Sequence, residues 1–191
     1  MSKQNDKSIT TSDATTNKKK RESMISSTEK YENYRTQFQR LKRAMANEFY
    51  LEAIVIEYAI MEDRVESILS YEGNEIIPQN ESTHISIMRK INRIVTLAQQ
   101  KNSLIGRYFA INLKNKINLM EEMKKWIDNR TPIKRDSVCR NNIIHHLLEI
   151  ITTTEDLGEI AEKGNILCRD LTNRANNYKR MVERRKAKQE K

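Results

Sequence analysis

The chain has 191 residues, of which 35 are Lys or Arg and 26 are Asp or Glu, leaving a formal net charge of +9. Hydrophobic residues make up 37 % and charged residues 32 %, too apolar for a fully disordered chain and enough for one ordinary domain. Only four Gly and two Pro occur, which excludes the frequent tight turns of an all-β fold and the glycine-rich phosphate loops of Rossmann and P-loop enzymes.

The first 28 residues are rich in Ser, Thr, Asn and Lys and nearly empty of apolar side chains, so they read as a polar tail outside any core. Lys18, Lys19, Lys20 and Arg21 form a basic run inside it, with the chemistry to contact phosphates. The tail has no apolar run of a secretory signal, and no stretch of ~18 apolar residues follows. The expectation is therefore a cytoplasmic protein with no membrane partner. The two cysteines, Cys139 and Cys168, are too few for a disulfide framework and read as reduced thiols.

Residues 29–48 have helix-forming composition with few apolar positions and are expected to extend the next helix as an exposed basic arm. That helix is FYLEAIVIEYAIMEDRVESIL, residues 49–69, where Leu51, Ile54, Val55, Tyr58, Met61, Val65, Ile68 and Leu69 fall on one stripe. Ala53, Ile56 and Ile60 widen the stripe, which places the helix at the centre of a bundle. Gly73 and Pro78 bracket a loop, and residues 80–83 offer N-cap side chains. The second helix then buries Ile85, Met88, Ile91, Val95 and Ala98. A third is expected from Leu104 to Asp128, with Ile105, Phe109, Leu113, Ile117, Met120, Met123 and Ile127 inward. Trp126, the only tryptophan, reads as a packing anchor. Pro132 ends that region.

A fourth helix is expected to start near Asp136 or Ser137 and to carry Val138, Ile143, Ile144, Leu147, Leu148 and Ile151. A fifth runs from about Leu157 to Leu171, weakened by Gly158 and Gly164, and can continue to Met181. From Arg174 onward the chain is strongly basic, through Lys179, Arg180, Arg184 and Arg185 among others. The predicted architecture is an all-α bundle of four to five helices over residues 29–173. Flexible basic segments flank it at residues 1–28 and 174–191.

Three histidines occur in the chain, and two are adjacent, in CRNNIIHHLLEI at residues 139–150. Arg140, Asn141, His145 and His146 form a dense polar cluster on a helix that otherwise supplies core residues. An imidazole titrates near neutral pH and can move protons, and a guanidinium presents a permanently charged fork to phosphate oxygens. Asn141 and His145 are four apart and share a helix face, so Asn141 can orient the imidazole. Arg140 and His145 lie about 140° apart round a straight helix, so a second copy across a dimer axis would bring them together better. There is no His-Glu-x-x-His pattern, and no metal or other cofactor is expected. Glu57, Glu62, Asp63 and Arg64 on the first amphipathic helix form no carboxylate pair at i, i+4.

The segment RNNIIHHL resembles the signature of the HEPN superfamily of small helical-bundle ribonucleases: an Arg, a polar residue, and a His several positions on. LEAIVIEYAIMEDRVESIL is similar to the amphipathic central helix of such proteins in abortive-infection and toxin–antitoxin systems. The resemblance implies a metal-independent endoribonuclease acting as a homodimer, with Arg140, Asn141 and His145 or His146 as catalytic residues. It further implies RNA as substrate, bacterial phage defence as setting, and an antitoxin, protein or RNA, as a partner. RNA would be held by Lys18, Lys19, Lys20, Arg21, Arg174, Lys179, Arg180, Arg184 and Arg185. The alternative from the residues alone is a non-catalytic helical adaptor that uses the same basic surfaces.

Overall fold

The computed structural model describes residues 27–71, 85–100, 104–105, 118–128, 139–141, 143 and 154–189. The expected basic run at residues 18–21, the loop at 73–83, and His84, His145 and His146 lie outside the described residues. Five helices are defined among the described residues: α1 (Ser27–Ala46), α2 (Tyr50–Ser70), α3 (Ile87–Ala98), α4 (Leu119–Ile127) and α5 (Thr154–Gln189). Residues 104–105, 140–141 and 143 are also helical, and no strand occurs among the described residues, so the chain is an all-α bundle. The packing described below lies within residues 37–191.

The basic arm expected to lead straight into α2 is instead a separate helix. Its end is a reversal at Asn47, Glu48 and Phe49. The Phe49 N–H donates to Ala44 O (2.9 Å) and the Glu48 N–H to Met45 O (3.3 Å), the paired bonds of a Schellman cap. That cap needs a left-handed residue, and Glu48 adopts it with φ 59° where glycine is the usual occupant. No glycine marks the turn, which is why it escapes a composition-based reading. The chain then turns back, and Arg40 on α1 reaches Glu52 on α2 at 3.1 Å.

Tyr50, Glu57, Arg64 and Tyr71 recur every seven residues and so share one face of the α2 segment. That face lies on α5. The Tyr50 ring covers Gly158, the Glu57 carboxyl reaches Gly164, and the Tyr71 and Tyr178 ring centroids are 6.2 Å apart. Both helices advance in the same order along these contacts, so they run parallel. Val55, expected in the core, is 49 % exposed because it points away from this seam.

The fifth helix does not stop near its glycines. It continues to Gln189, about 54 Å in all. Ile160, Ala161, Gly164, Leu167, Cys168, Leu171, Ala175, Tyr178 and Val182 form one buried stripe. Ala175, Tyr178 and Val182 thus carry the core past residue 173 into the segment that reads as a basic tail. α4 lies antiparallel on α5: Trp126 Nε1 donates to Ile160 O (2.9 Å) and Lys163 Nζ meets Glu122 at 3.4 Å.

Two further expectations change. α3 is capped by Ser86, whose side chain accepts from the Arg89 N–H, and it buries Ile87, Lys90, Ile91, Ile94 and Leu97. Its inner face is therefore rotated from the expected Met88, Val95 and Ala98, which are only half-buried. The expected continuous helix from Leu104 to Asp128 is interrupted. Asn118 is extended (φ −96°, ψ 96°), and its side chain accepts from the Glu121 N–H to start α4. Phe109, Leu113 and Ile117 lie outside the described residues.

Two sets of substitutions test this packing. Glu48→Gly removes the left-handed strain and is expected to stabilise by about 1 kcal/mol, or roughly 2–4 °C in Tm. An unchanged or lower Tm contradicts the Schellman geometry. Gly→Ala inside a helix ordinarily stabilises by up to ~1 kcal/mol. At Gly164 a methyl group overlaps the Glu57 carboxyl and comes within 2.7 Å of Trp126 Cζ2, a rigid ring anchored by its hydrogen bond. Gly164→Ala is therefore expected to lower stability by about 1–3 kcal/mol. Gly158→Ala meets only the half-buried Tyr50 ring at 3.3 Å and is expected to be neutral or stabilising. Urea titration of both variants reads the opposite signs.

Candidate functional site

The segment that carries Arg140 begins its helix later than expected. Cys139 is non-helical and fully covered, and its carbonyl accepts the Ile143 N–H at 3.1 Å, so helical residues start at Arg140 rather than near Asp136. Arg140 is half-buried. Its guanidinium carbon lies 3.9 Å from the centre of the Tyr58 ring on α2. Its Nη1 donates to Asn141 Oδ1 at 2.8 Å, and its Nε is buried without an acceptor. Asn141 holds the Arg140 side chain, and the imidazole it is expected to orient lies outside the described residues.

Tyr58 stands where α2 meets α3 and the Arg140 segment. Burial and the neighbouring Glu62 hold its hydroxyl above the usual tyrosine range, against the cations Arg140 and Lys90. Lys90, buried on α3, reaches Glu66 at 3.0 Å and Glu62 at 3.7 Å. The carboxylates of this corner are drawn to Lys90, and no acidic group forms an ion pair with Arg140 among the described residues.

The basic residues expected on the last helix divide into two sets. Arg174 Nε is held by both carboxylate oxygens of Asp170, at 2.9 and 3.0 Å, and Lys179 lies 3.8 Å from Glu183. Lys186 Nζ donates to Tyr71 O at 3.2 Å, tying the last turns of α5 to the end of α2. Arg180, Arg184, Arg185 and Lys188 are exposed, and residues 183–189 are exposed on every side. Tyr58 and Tyr71 are separated by roughly 20 Å of helix axis, which sets the distance between Arg140 and the basic end of α5. No helix among the described residues is long and apolar enough to cross a membrane. The described residues also hold no cluster of three or more His, Cys, Asp or Glu arranged for a metal.

One buried group falls outside the sequence expectations. Glu57 is fully buried, and neither carboxylate oxygen has a hydrogen-bond partner. Burial pushes its carboxyl up to about 9, so it is neutral at pH 7. Cys168 lies beside it, and burial together with Glu57 pushes that thiol up to about 12, which makes it unreactive. The signal that could have found Glu57 is the seven-residue spacing with Tyr50, Arg64 and Tyr71, which places it on the helix face with two aromatic residues.

No protein-family model, curated protein or solved structure matches the chain.

Glu57 makes stability depend on pH. The unfolded carboxyl ionises near 4.5, whereas the folded one holds its proton to about 9. Below pH 4.5 both states are protonated and the group is silent. As pH rises towards 9 the unfolded chain releases a proton that the folded chain keeps, so stability falls, by up to about 1.4 kcal/mol per pH unit. Glu57→Gln removes that slope. Urea unfolding followed by Trp126 fluorescence is expected to show the variant's advantage over wild type growing between pH 5 and 9. Parallel pH profiles would mean that Glu57 is ionised in the folded chain.

Proposed function

We propose that this chain binds RNA through the basic end of α5 and cleaves it, without a metal, at residues 140–146. The observation that carries the reading is the state of Arg140: a half-buried guanidinium, braced by Tyr58 and Asn141 and in no ion pair with a carboxylate among the described residues. A preorganised positive charge of this kind stabilises the charge that builds on a phosphorane. The adjacent residues His145 and His146 supply groups that exchange protons near neutral pH. RNA brings its own nucleophile. The 2′-oxygen gives its proton to one imidazole and bonds to phosphorus. The bond from phosphorus to the 5′-oxygen breaks, and that oxygen takes a proton from the second donor. The products are a 2′,3′-cyclic phosphate and a 5′-hydroxyl.

Arg180, Arg184, Arg185 and Lys188 supply affinity for the backbone that does not depend on sequence. Arg174 is already paired with Asp170 and contributes less. A homodimer in which two such segments face each other completes the proposal, since Arg140 and His145 diverge on one straight helix. The setting that fits is a HEPN-type ribonuclease of a bacterial defence or toxin–antitoxin system, restrained by an antitoxin.

The test is cleavage of labelled RNA by the purified protein in EDTA, with the product ends identified. Wild type is expected to leave cyclic phosphate ends. Arg140→Ala and the double variant His145→Ala/His146→Ala are expected to lose about 10²–10⁴ in rate. The histidine variant should keep its RNA affinity, whereas Arg140→Ala should bind more weakly. Neutralising Arg180, Arg184 and Arg185 together should flatten the slope of log affinity against log salt by about 0.7 per lost contact. Salt-dependent binding with no cleavage under any condition would identify the adaptor reading. Cleavage abolished by EDTA would exclude the proposed chemistry.

A further inference from the structure

We infer that Tyr58 is the positioning residue of the Arg140 site, its ring fixing the edge that the guanidinium offers to a phosphate. The inference rests on the RNA reading above and deepens it by naming what aims the charge. An arginine carries five N–H donors on a planar fork. Here Nη1 is engaged by Asn141, and Nε–H is buried with no oxygen acceptor, 3.9 Å being the separation of the guanidinium carbon from the Tyr58 ring centre. The Nη2 edge makes no hydrogen bond among the described residues, so the two braces leave that edge to an incoming anion.

A flexible side chain carries about 2 kcal/mol of rotamer entropy, much of which an unbraced arginine loses when it meets phosphate. A stacked one has already lost it. The attraction of a cation for an aromatic face amounts to a factor of roughly 2–30 in affinity, the larger values at desolvated sites. Arg140 and Tyr58 are both half-buried and lie between these limits. Tyr58 sits on α2 immediately after Glu57, so the seam with α5 holds the platform still. Lys90 keeps Glu62 and Glu66 occupied beside it, so the ring, and not a carboxylate, is what the guanidinium meets.

The experiment compares wild type with Tyr58→Phe, Tyr58→Leu and a chain with pentafluorophenylalanine at position 58. The first keeps the ring, the second removes it, and the third keeps its shape while reversing the charge on its face. The first readout is the Arg140 Hε resonance, assigned by its absence in Arg140→Lys. A ring stacked on the guanidinium shifts it upfield, and it is expected to stay there in Tyr58→Phe and to move to the ordinary position in Tyr58→Leu. The second readout is binding of labelled 2′-O-methyl poly(U), which cannot be cleaved. Tyr58→Leu and the fluorinated ring are expected to bind about three- to thirtyfold more weakly, Tyr58→Phe within twofold of wild type. In an Arg140→Ala background Tyr58→Leu is expected to add no more than a further twofold, because the two residues act through one contact. Trp126 fluorescence and thermal unfolding check the fold of every variant, and the fluorinated chain preserves the ring's volume if Tyr58→Leu unfolds. An unmoved Hε signal, or full RNA affinity in Tyr58→Leu and the fluorinated chain while Arg140→Ala binds weakly, overturns the positioning role and leaves the RNA reading standing. An Arg140→Ala variant that binds and cleaves as wild type overturns the RNA reading, and the inference with it.

Discussion

The parallel contact between α2 and α5 is the constraint from which the rest of the described bundle follows. Large side chains on α2 meet small residues on α5: Tyr50 against Gly158, and Glu57 against Gly164 with Cys168 one turn on. Where Gly164 removes the side chain from α5, two neighbours move in. The Glu57 carboxyl enters from α2 and the Trp126 ring from α4, and Trp126 is locked by its bond to the Ile160 carbonyl. One glycine therefore joins three helices. Helix propensity argues against a glycine at an interior position, and close approach outweighs it.

The seam is not an apolar one. A neutral acid, a buried arginine and a serine occupy the face of α2 where hydrophobic residues would stabilise more. Glu57 pays for its burial by giving up its charge. Arg64 is buried near the same site, and the nearness of both is felt at Cys168. The apolar mass of the bundle lies to either side, through Ile54, Met61, Val65 and Ile68 on α2 and Leu167 and Leu171 on α5. Tyr58 follows Glu57 and is turned about 100° away from the seam, towards α3 and Arg140. The residue that packs the bundle and the residue that meets the candidate site are thus neighbours on one rigid helix.

Much of the helical content was legible in the sequence, because periodic apolar positions need no long-range information. The all-α class, the centrality of α2 and the burial of Trp126 follow from local pattern and composition. The departures each have a non-local or backbone cause. Glu48 takes a left-handed conformation that its side chain disfavours, so the turn after α1 carries no glycine to announce it. Asn118 is a poor helix residue only mildly, and its capping role is decided by the Glu121 N–H it meets. Gly158 and Gly164 look like breaks until α2 and α4 are placed against them. The candidate site divides in the same way. Arg140 and Asn141 stand out by residue type and spacing, whereas Tyr58, hidden in an amphipathic stripe, acquires its role only from a partner remote in sequence.

Charge on α5 is sorted by the same geometry. Up to Val182 the helix has a core to cover, and three basic residues beside that core find carboxylates: Arg174 takes Asp170, Lys179 leans towards Glu183, and Lys163 reaches Glu122. Past Val182 residues 183–189 are all exposed, and between Arg180 and Lys188 the sequence places five basic residues and one acidic one, Glu183, a local surplus of four. Lys186 spends one of its donors on the Tyr71 carbonyl and holds this end against α2. A flexible tail of the same composition would spread its charge over many positions. A helical end fixed to the bundle holds it in one place, at a set distance of roughly 20 Å from the Arg140 corner along α2. The basic end of α5 and the Arg140 guanidinium, the two features on which the proposed function rests, are therefore both held to α2, and the spacing between them is a property of that helix.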